Sequence, residues 1–257
     1  MKIYSKLKQY YRYLRNWKKF KSRQAKGGIY KNTSQQLDFY SQFIKSGDLV
    51  FDIGANVGYK CDLFLELGAK VIAVEPQESC WRVLKRRFRD DDVIVEAVAL
   101  ADKEEVRTLF VDRSPTLATM SKTWIDSMKE SGRFSRHKWN SKLLVQTATL
   151  DILISKYGKP TFCKIDVEGF ELDVLRGLSE SIGMISLEFV SERIENSLNC
   201  IDYLAKLGNV EFNYCLSDSN SFALSAWVDC ESIKIILNDM DKSVENYGDI
   251  YVRFIDE

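Results

Sequence analysis

The fold of this chain follows from Val50-Phe51-Asp52-Ile53-Gly54-Ala55-Asn56-Val57-Gly58, in which an apolar run leads into an acid and two glycines. A second apolar run, 71–74, ends at Glu75-Pro76. The order of apolar run, glycine turn, helix-length segment and apolar run predicts strand, turn, helix and strand. We therefore expect an α/β protein with an open parallel sheet, whose ligands lie beyond the carboxyl ends of the strands.

The chemistry of these two segments favours S-adenosylmethionine as the ligand. Glu75 ends the second predicted strand, where an acid can bind both ribose hydroxyls of a nucleotide. Asp52 precedes a Gly-x-x-x-Gly pattern, and its carboxylate would repel the pyrophosphate of NAD. A sulfonium cation with an amino-acid tail suits Asp52 and a bare glycine backbone better. Another nucleotide, or an α/β unit without a ligand, remains the alternative.

Composition indicates one large domain with additions. The chain has 257 residues, 45% of them hydrophobic, which is enough for one large core. Six cysteines without a C-x-x-C pair and a single histidine predict reduced thiols in a cytoplasmic protein and no zinc site. We recognise no secretory signal and no apolar run of membrane-spanning length, so a soluble or peripheral protein is expected.

The N-terminal segment is strongly basic. Residues 1–37 contain eleven Lys or Arg and no Asp or Glu, although the whole chain has no net charge. Apolar residues recur there at helical spacing, which predicts a basic amphipathic arm over 1–30 followed by a domain over 31–257. The arm suits peripheral contact with an anionic membrane inner face through residues 1–26. Packing on the domain is equally compatible, and nucleic acid is less expected because no base-reading module follows.

The middle of the chain predicts a third strand and a hairpin. The run 93–100 is expected to be the third strand, with Ala97 and Ala99 small enough to lie against an adenine. Packing in a buried strand is the alternative explanation for the two alanines. Runs 106–111 and 143–147 are expected to pair, separated by a polar segment, 112–142. Connections of that length are usually functional or disordered. We interpret it as a substrate lid, with a solvated loop as the alternative, and its candidate acceptor contacts are Ser114, Arg133 and His137.

A second motif, Lys164-Ile165-Asp166-Val167-Glu168-Gly169-Phe170-Glu171, places acids at the end of a predicted strand. Alternation puts Asp166 and Glu168 on one side, and Gly169 permits a sharp turn. Such acids can hold the amino group of a donor, accept a proton from a hydroxyl or bind a divalent ion. Glu188 ends the next strand at the same edge. Further runs complete a seven-strand plan.

These residues resemble the FkbM family of class I methyltransferases over roughly 30–257. The match rests on Phe51–Gly58 with Ala73–Pro76, on Thr149-Leu150-Asp151 and on Lys164–Glu171. The resemblance implies a Rossmann-like, seven-stranded, mostly parallel sheet with an antiparallel last strand, helices on both faces and S-adenosylmethionine as cofactor. The expected cofactor-binding residues are Asp52, Gly54, Ala55, Asn56, Gly58, Glu75, Pro76, Ala97 and Asp166.

The resulting hypothesis is an O-methyltransferase acting on a sugar, polysaccharide or natural product. A substrate oxygen would attack the sulfonium methyl in line, with Asp166, Glu168 and Glu188 as the catalytic carboxylates and no metal ion. Two alternatives stay open: an RNA 2′-hydroxyl methyltransferase that uses the basic arm, and a non-catalytic donor-binding or membrane-docked scaffold. The sequence leaves the acceptor, the metal dependence, the role of the basic arm and the oligomeric state undecided.

Overall fold

A computed structural model of the protein describes Lys18 and residues 33–89, 91–217, 219–240 and 246–255. The predicted basic arm, 1–30, thus lies outside the described residues except for Lys18. Its proposed helix and its membrane contact are not tested by the structure.

The centre of the domain is a seven-stranded sheet in the order β3-β2-β1-β7-β8-β10-β9. Its strands are parallel except β10, which runs antiparallel to both of its neighbours. The predicted plan with an antiparallel last strand is therefore confirmed. The strands are β1 (Leu49–Ile53), β2 (Lys70–Val74), β3 (Val93–Glu96), β7 (Phe162–Ile165), β8 (Met184–Val190), β9 (Val210–Leu216) and β10 (Tyr247–Phe254).

Helices cover both faces, as predicted. The helices are α1 (Thr33–Tyr40), α2 (Tyr59–Glu66), α3 (Glu78–Arg87), α4 (Lys122–Glu130), α5 (Leu150–Tyr157), α6 (Glu171–Leu175), α7 (Ile194–Leu207) and α8 (Cys230–Asn238). One core forms between the sheet and α1, α2 and α3, and a larger one between the sheet and α5 to α8. Because both faces are covered, central strands such as β1 are apolar almost throughout.

The predicted third strand, 93–100, is wrong in its extent. β3 ends at Glu96, and after a two-residue break β4 (Ala99–Leu100) joins a different, three-stranded sheet. That sheet contains the predicted hairpin, β5 (Val106–Val111) and β6 (Ser141–Ala148), which pair antiparallel. β4 pairs parallel with β6. The chain thus leaves the main sheet at Ala97 and adds a small sheet beside the strand ends.

The segment 112–142 is an ordered unit with its own small core. It contains a 3-10 helix, Pro115–Leu117, and α4, which begins where the Ser121 hydroxyl accepts a hydrogen bond from the Trp124 backbone N–H at 3.1 Å. Trp124 packs edge-on against Trp139, with ring centroids 5.8 Å apart. The solvated-loop alternative is therefore wrong for this segment. Within the described part of the chain, no helix is both long and apolar enough to span a membrane.

Candidate active site

The glycine turn after β1 is locked to the ends of two neighbouring strands. Gly54 has φ 85°, in the left-handed region that favours glycine. A Cβ on Gly54 would lie 1.9 Å from the backbone oxygen of Asp166. The N–H groups of Gly54 and Ala55 both donate to the Val74 carbonyl at 3.0 Å. The turn therefore sits directly between the ends of β2 and β7.

Glu75 is fixed at the end of β2 by two backbone donors. Its carboxylate accepts from the N–H of Asn56 at 3.0 Å and from the N–H of Gln77 at 2.7 Å. The side chain is buried, and burial raises the pKa of Glu75 to about 8 although the two hydrogen bonds oppose the shift. Glu75 thus lies where an acid can bind ribose hydroxyls.

Three carboxylates cluster at the ends of β7 and β8. The ligand oxygens of Asp166, Glu168 and Glu188 all lie within 4.8 Å of one another. Burial, and then the charge of Asp166, raise the pKa values of Glu168 and Glu188 well above the ordinary range. A carboxyl group with a raised pKa can exchange a proton near neutral pH.

The loop that carries Glu168 is held in an unusual conformation. Glu168 has φ 57°, which is uncommon for a residue with a side chain, and Gly169 follows with φ 82°. The Thr119 hydroxyl donates to the Glu168 carbonyl at 2.7 Å. Buried Glu171 accepts from the backbone N–H of Gly169 at 3.0 Å, so this acid supports the loop. Strained backbone held by several such contacts is typical of functional sites.

All these features border one cavity of about 300 Å³, at the low end of the range for ligand pockets. It opens beyond the carboxyl ends of β1, β2 and β7, where an open parallel sheet binds its ligands. The segment 115–120 forms one wall, and Gln77 ties to it because its side-chain amide donates to the Pro115 carbonyl at 2.8 Å.

The structure brings most of the predicted site residues to this cavity. Seven of the eleven residues predicted as cofactor or catalytic contacts line it, and they lie on both sides of β1. The predicted residues in the lining are Gly54, Asn56, Glu75, Pro76, Asp166, Glu168 and Glu188. The lining also contains residues that were not predicted as site residues, among them Gln77, Val98, Leu100, Leu109, Thr116, Thr119 and Met120.

Four expected cofactor contacts lie away from the cavity lining. Asp52 is buried under α2, where the Cys61 thiol donates to its carboxylate at 3.2 Å. Ala55 is buried too. Gly58 serves packing, since a Cβ there would lie 2.5 Å from the Phe88 ring. Ala97 is exposed, and Val98 and Ala99 line the cavity in its place. These four positions lie outside the lining, and their contact with the cofactor stays a prediction.

The three expected acceptor contacts are also absent from the lining. Arg133 makes a buried bidentate pair with Glu192, at 2.6 and 2.9 Å. His137 bonds through Nδ1 to Asp112 at 2.7 Å. Ser114 donates its backbone N–H to the same carboxylate at 3.0 Å. All three therefore stabilise the segment 112–142, and their contact with an acceptor stays a prediction.

The acid cluster is the one group among the described residues whose oxygens are spaced closely enough to ligate a metal ion. Hard cations such as Mg²⁺ prefer carboxylate oxygens. Acidic groups at this spacing are also common without an ion, so the absence of a metal from the mechanism stays a prediction.

The raised pKa of Glu75 predicts how stability depends on pH. Below its ordinary pKa, near 4.5, Glu75 is protonated in both the folded and the unfolded state. As pH rises toward about 8, the unfolded state ionises while the folded state keeps the proton, so stability falls. The free energy of unfolding of the ligand-free protein should drop between pH 5 and 8, with Glu75 contributing on the order of several kcal/mol. Glu171, with its pKa raised by burial to about 7, acts in the same direction.

Urea denaturation of the wild type and of Glu75→Gln at several pH values checks this. The variant should lose a large part of the pH slope, whatever its absolute stability. Equal slopes in the two proteins would contradict the assignment of a buried, protonated Glu75.

The strand order, the glycine turn and the acid after β2 define a Rossmann-like class I methyltransferase. A family model described as the methyltransferase FkbM domain matches residues 52–210. The chain therefore belongs to the FkbM methyltransferase family, as its motifs predicted, and its cofactor is S-adenosylmethionine.

The individual proteins that are similar to this chain share little of its sequence. Methyltransferase sdnD of Sordaria araneosa is 28% identical over 163 residues, which cover 53% of this chain and 62% of that protein. The match thus spans less than two thirds of the relative. A TehB-like S-adenosylmethionine-dependent methyltransferase from Corynebacterium glutamicum has a TM-score of 0.46 at 9% identity, with 94% of this chain and 97% of that one covered. A Streptococcus mutans protein in complex with S-adenosylhomocysteine has a TM-score of 0.42 at 11% identity, with 88% and 98% covered.

Proposed function

We propose that the chain transfers a methyl group from S-adenosylmethionine to a hydroxyl group of a neutral acceptor, such as a sugar, a polysaccharide or a natural product. The observation that carries this proposal is a single cavity with acids on both sides of β1. Glu75 lies on the β2 side, and the cluster of Asp166, Glu168 and Glu188 lies on the β7 and β8 side. The first suits a ribose, and the second suits a reacting hydroxyl.

S-adenosylmethionine supplies an electrophilic methyl group on a sulfonium. The acceptor oxygen forms a new bond to that carbon as the carbon–sulfur bond breaks, and the hydroxyl proton passes to a carboxylate of the cluster. Gly54 lets the backbone approach the donor closely, and Glu75 orients its ribose. Alignment of this kind can supply about 7–11 kcal/mol, more than the roughly 10²–10⁴-fold from a general base.

The charge of the lining favours a neutral acceptor over RNA. The described residues around the cavity include four carboxylates, on Glu75, Asp166, Glu168 and Glu188, and no Lys, Arg or His. Phosphate groups are normally met by cationic side chains or backbone amides, and the lining offers carboxyl groups where such cations would be needed. No observation on the described residues favours the RNA alternative or the scaffold alternative.

The remaining parts of the chain are assigned roles as proposals. The segment 112–142 forms the side of the cavity along which the acceptor enters, because its residues 115–120 line the cavity. We also propose that the chain consists of an arm, 1–30, and a domain, 31–257. We propose a cytoplasmic location, with peripheral contact between residues 1–26 and the membrane inner face. Glycan biosynthesis is the process that such an acceptor implies.

Titration calorimetry with S-adenosylhomocysteine tests the donor site. We expect micromolar binding that is lost in Glu75→Gln and retained in Glu66→Gln, an exposed acid at the end of α2. Because ribose hydroxyls favour an ionised Glu75, binding near pH 7 should also release protons, visible as a heat that varies with the buffer. Wild-type protein without affinity for this product would remove the proposal; binding would justify screening neutral sugars for methyl transfer.

A further inference from the structure

Lys164 is a buried cation directly behind the acid cluster. It lies on β7, and its Nζ donates to Oδ2 of Asp166 at 2.6 Å. The two side chains differ in exposure: 5% for Lys164 and 35% for Asp166. Asp166 lines the cavity and Lys164 does not. The pair therefore has one end in the core and the other end facing the ligand.

The surroundings of Lys164 keep its ammonium charged. In the sheet register Lys164 lies beside Asp52 on β1 and beside Ser186 on β8. Burial by itself would lower the pKa of Lys164, but the charges of Asp166, Asp249 and Asp52 outweigh burial and raise it. The same ammonium opposes the effect of burial on Asp52, whose pKa is raised nevertheless. The charge of this lysine thus acts on Asp52 of β1 and on Asp166 at the end of β7.

We propose that Lys164 is a positioning residue that acts through Asp166: its ammonium holds one carboxylate oxygen and leaves the other directed at the donor. This inference rests on the proposed function. A charge-assisted hydrogen bond from a rigid strand fixes the orientation of the acid. Without it, Asp166 would lie beside Glu168 and Glu188 without this hydrogen-bond partner.

A purely structural ion pair would have the same geometry, so the test must separate the two roles. Losing one partner of a buried pair destabilises the fold in either case. Only a positioning role requires that the effect of Lys164 on ligand binding vanish once Asp166 no longer carries a carboxylate. A double-mutant cycle measures this dependence.

The experiment is calorimetric titration of S-adenosylhomocysteine into wild type, Lys164→Met, Asp166→Ala and the double variant. We expect each single change to weaken binding tenfold or more, and the double variant to bind like Asp166→Ala alone. Lys156→Met, which removes a pair with Glu96 outside the cavity, is the matched control and should bind like wild type.

Effects that add in the double variant, or unchanged affinity in Lys164→Met, would overturn the proposal. If Lys164→Met does not fold, the comparison of Asp166→Ala with the double variant still decides, since weaker binding by the double variant overturns the proposal. A wild type that does not bind S-adenosylhomocysteine would instead refute the proposed function itself, and the positioning role with it.

Discussion

Asp166→Ala should abolish methyl transfer while the protein stays folded. Asp166 is the acid that borders both the glycine turn and the carboxylate cluster, because its backbone N–H donates to the Ile53 carbonyl at 3.0 Å and its side chain lines the cavity. Loss of a general base typically costs about 10²–10⁴-fold. Since Asp166 also aligns the reactants in this proposal, we expect a loss of at least about 10³-fold.

The rate is measured as transfer of labelled methyl from S-adenosylmethionine to an acceptor found by screening. Asp173→Ala, which removes a half-exposed acid of α6 that pairs with Arg176, should keep nearly full activity. Alanine leaves Lys164 without its partner, so Asp166→Asn, whose amide oxygen can still accept from Nζ, controls for stability. Activity of Asp166→Ala within tenfold of wild type would disprove the catalytic role.

Most of the fold could be predicted because its pattern is local. Central parallel strands are short apolar runs, and an acid or a glycine ends each one, as in β1, β2 and β7. The prediction of the third strand was wrong because 93–100 is apolar almost throughout. Hydrophobicity does not reveal that the chain passes from one sheet to another within such a run. Glu96, where β3 ends, is held by Lys156 and Tyr157 of α5, far away in sequence.

The sequence of 112–142 contains a helical pattern of apolar residues that indicates its small core. The polar composition of the segment concealed this pattern. Ser121 caps a helix in which Trp124, Ile125 and Met128 are buried on one face. That spacing is the helical one, but the polar residues around it dominate the segment. The segment therefore gave the impression of a loop although its aromatic residues form a core.

The sequence predicts the site residues that the backbone places at the strand ends. It does not predict the direction in which an individual side chain points. The residues after β1, β2 and β7 reach the cavity because strand ends meet at one edge. Asp52 lies inside β1, with Phe51 and Ile53 packed in the other core, so its side chain points under α2. Arg133 is bound by Glu192, 59 residues later. No local pattern encodes such a partner.

Gly54→Ala should remove donor binding and destabilise the protein strongly. The new Cβ would lie 1.9 Å from the Asp166 backbone oxygen and 3.0 Å from its carbonyl carbon. Backbone atoms cannot rotate away as a flexible side chain can, so the end of β7 must separate from the turn. The shift would displace Asp166 and strain the paired hydrogen bonds to Val74. We expect at least about a 100-fold loss of affinity for S-adenosylhomocysteine, equivalent to roughly 2.8 kcal/mol.

Gly47→Ala separates this contact from the ordinary cost of a left-handed residue. Gly47 has φ 89°, close to the 85° of Gly54, but a Cβ there would meet no atom within 4 Å. Its substitution should cost only about 1–2 kcal/mol of stability and leave binding unchanged. Titration calorimetry and urea denaturation of both variants make the comparison. Equal stability and equal affinity in the two variants would mean that the turn and β7 are not in contact, because the φ penalty is shared and only Gly54 has a backbone oxygen in the way.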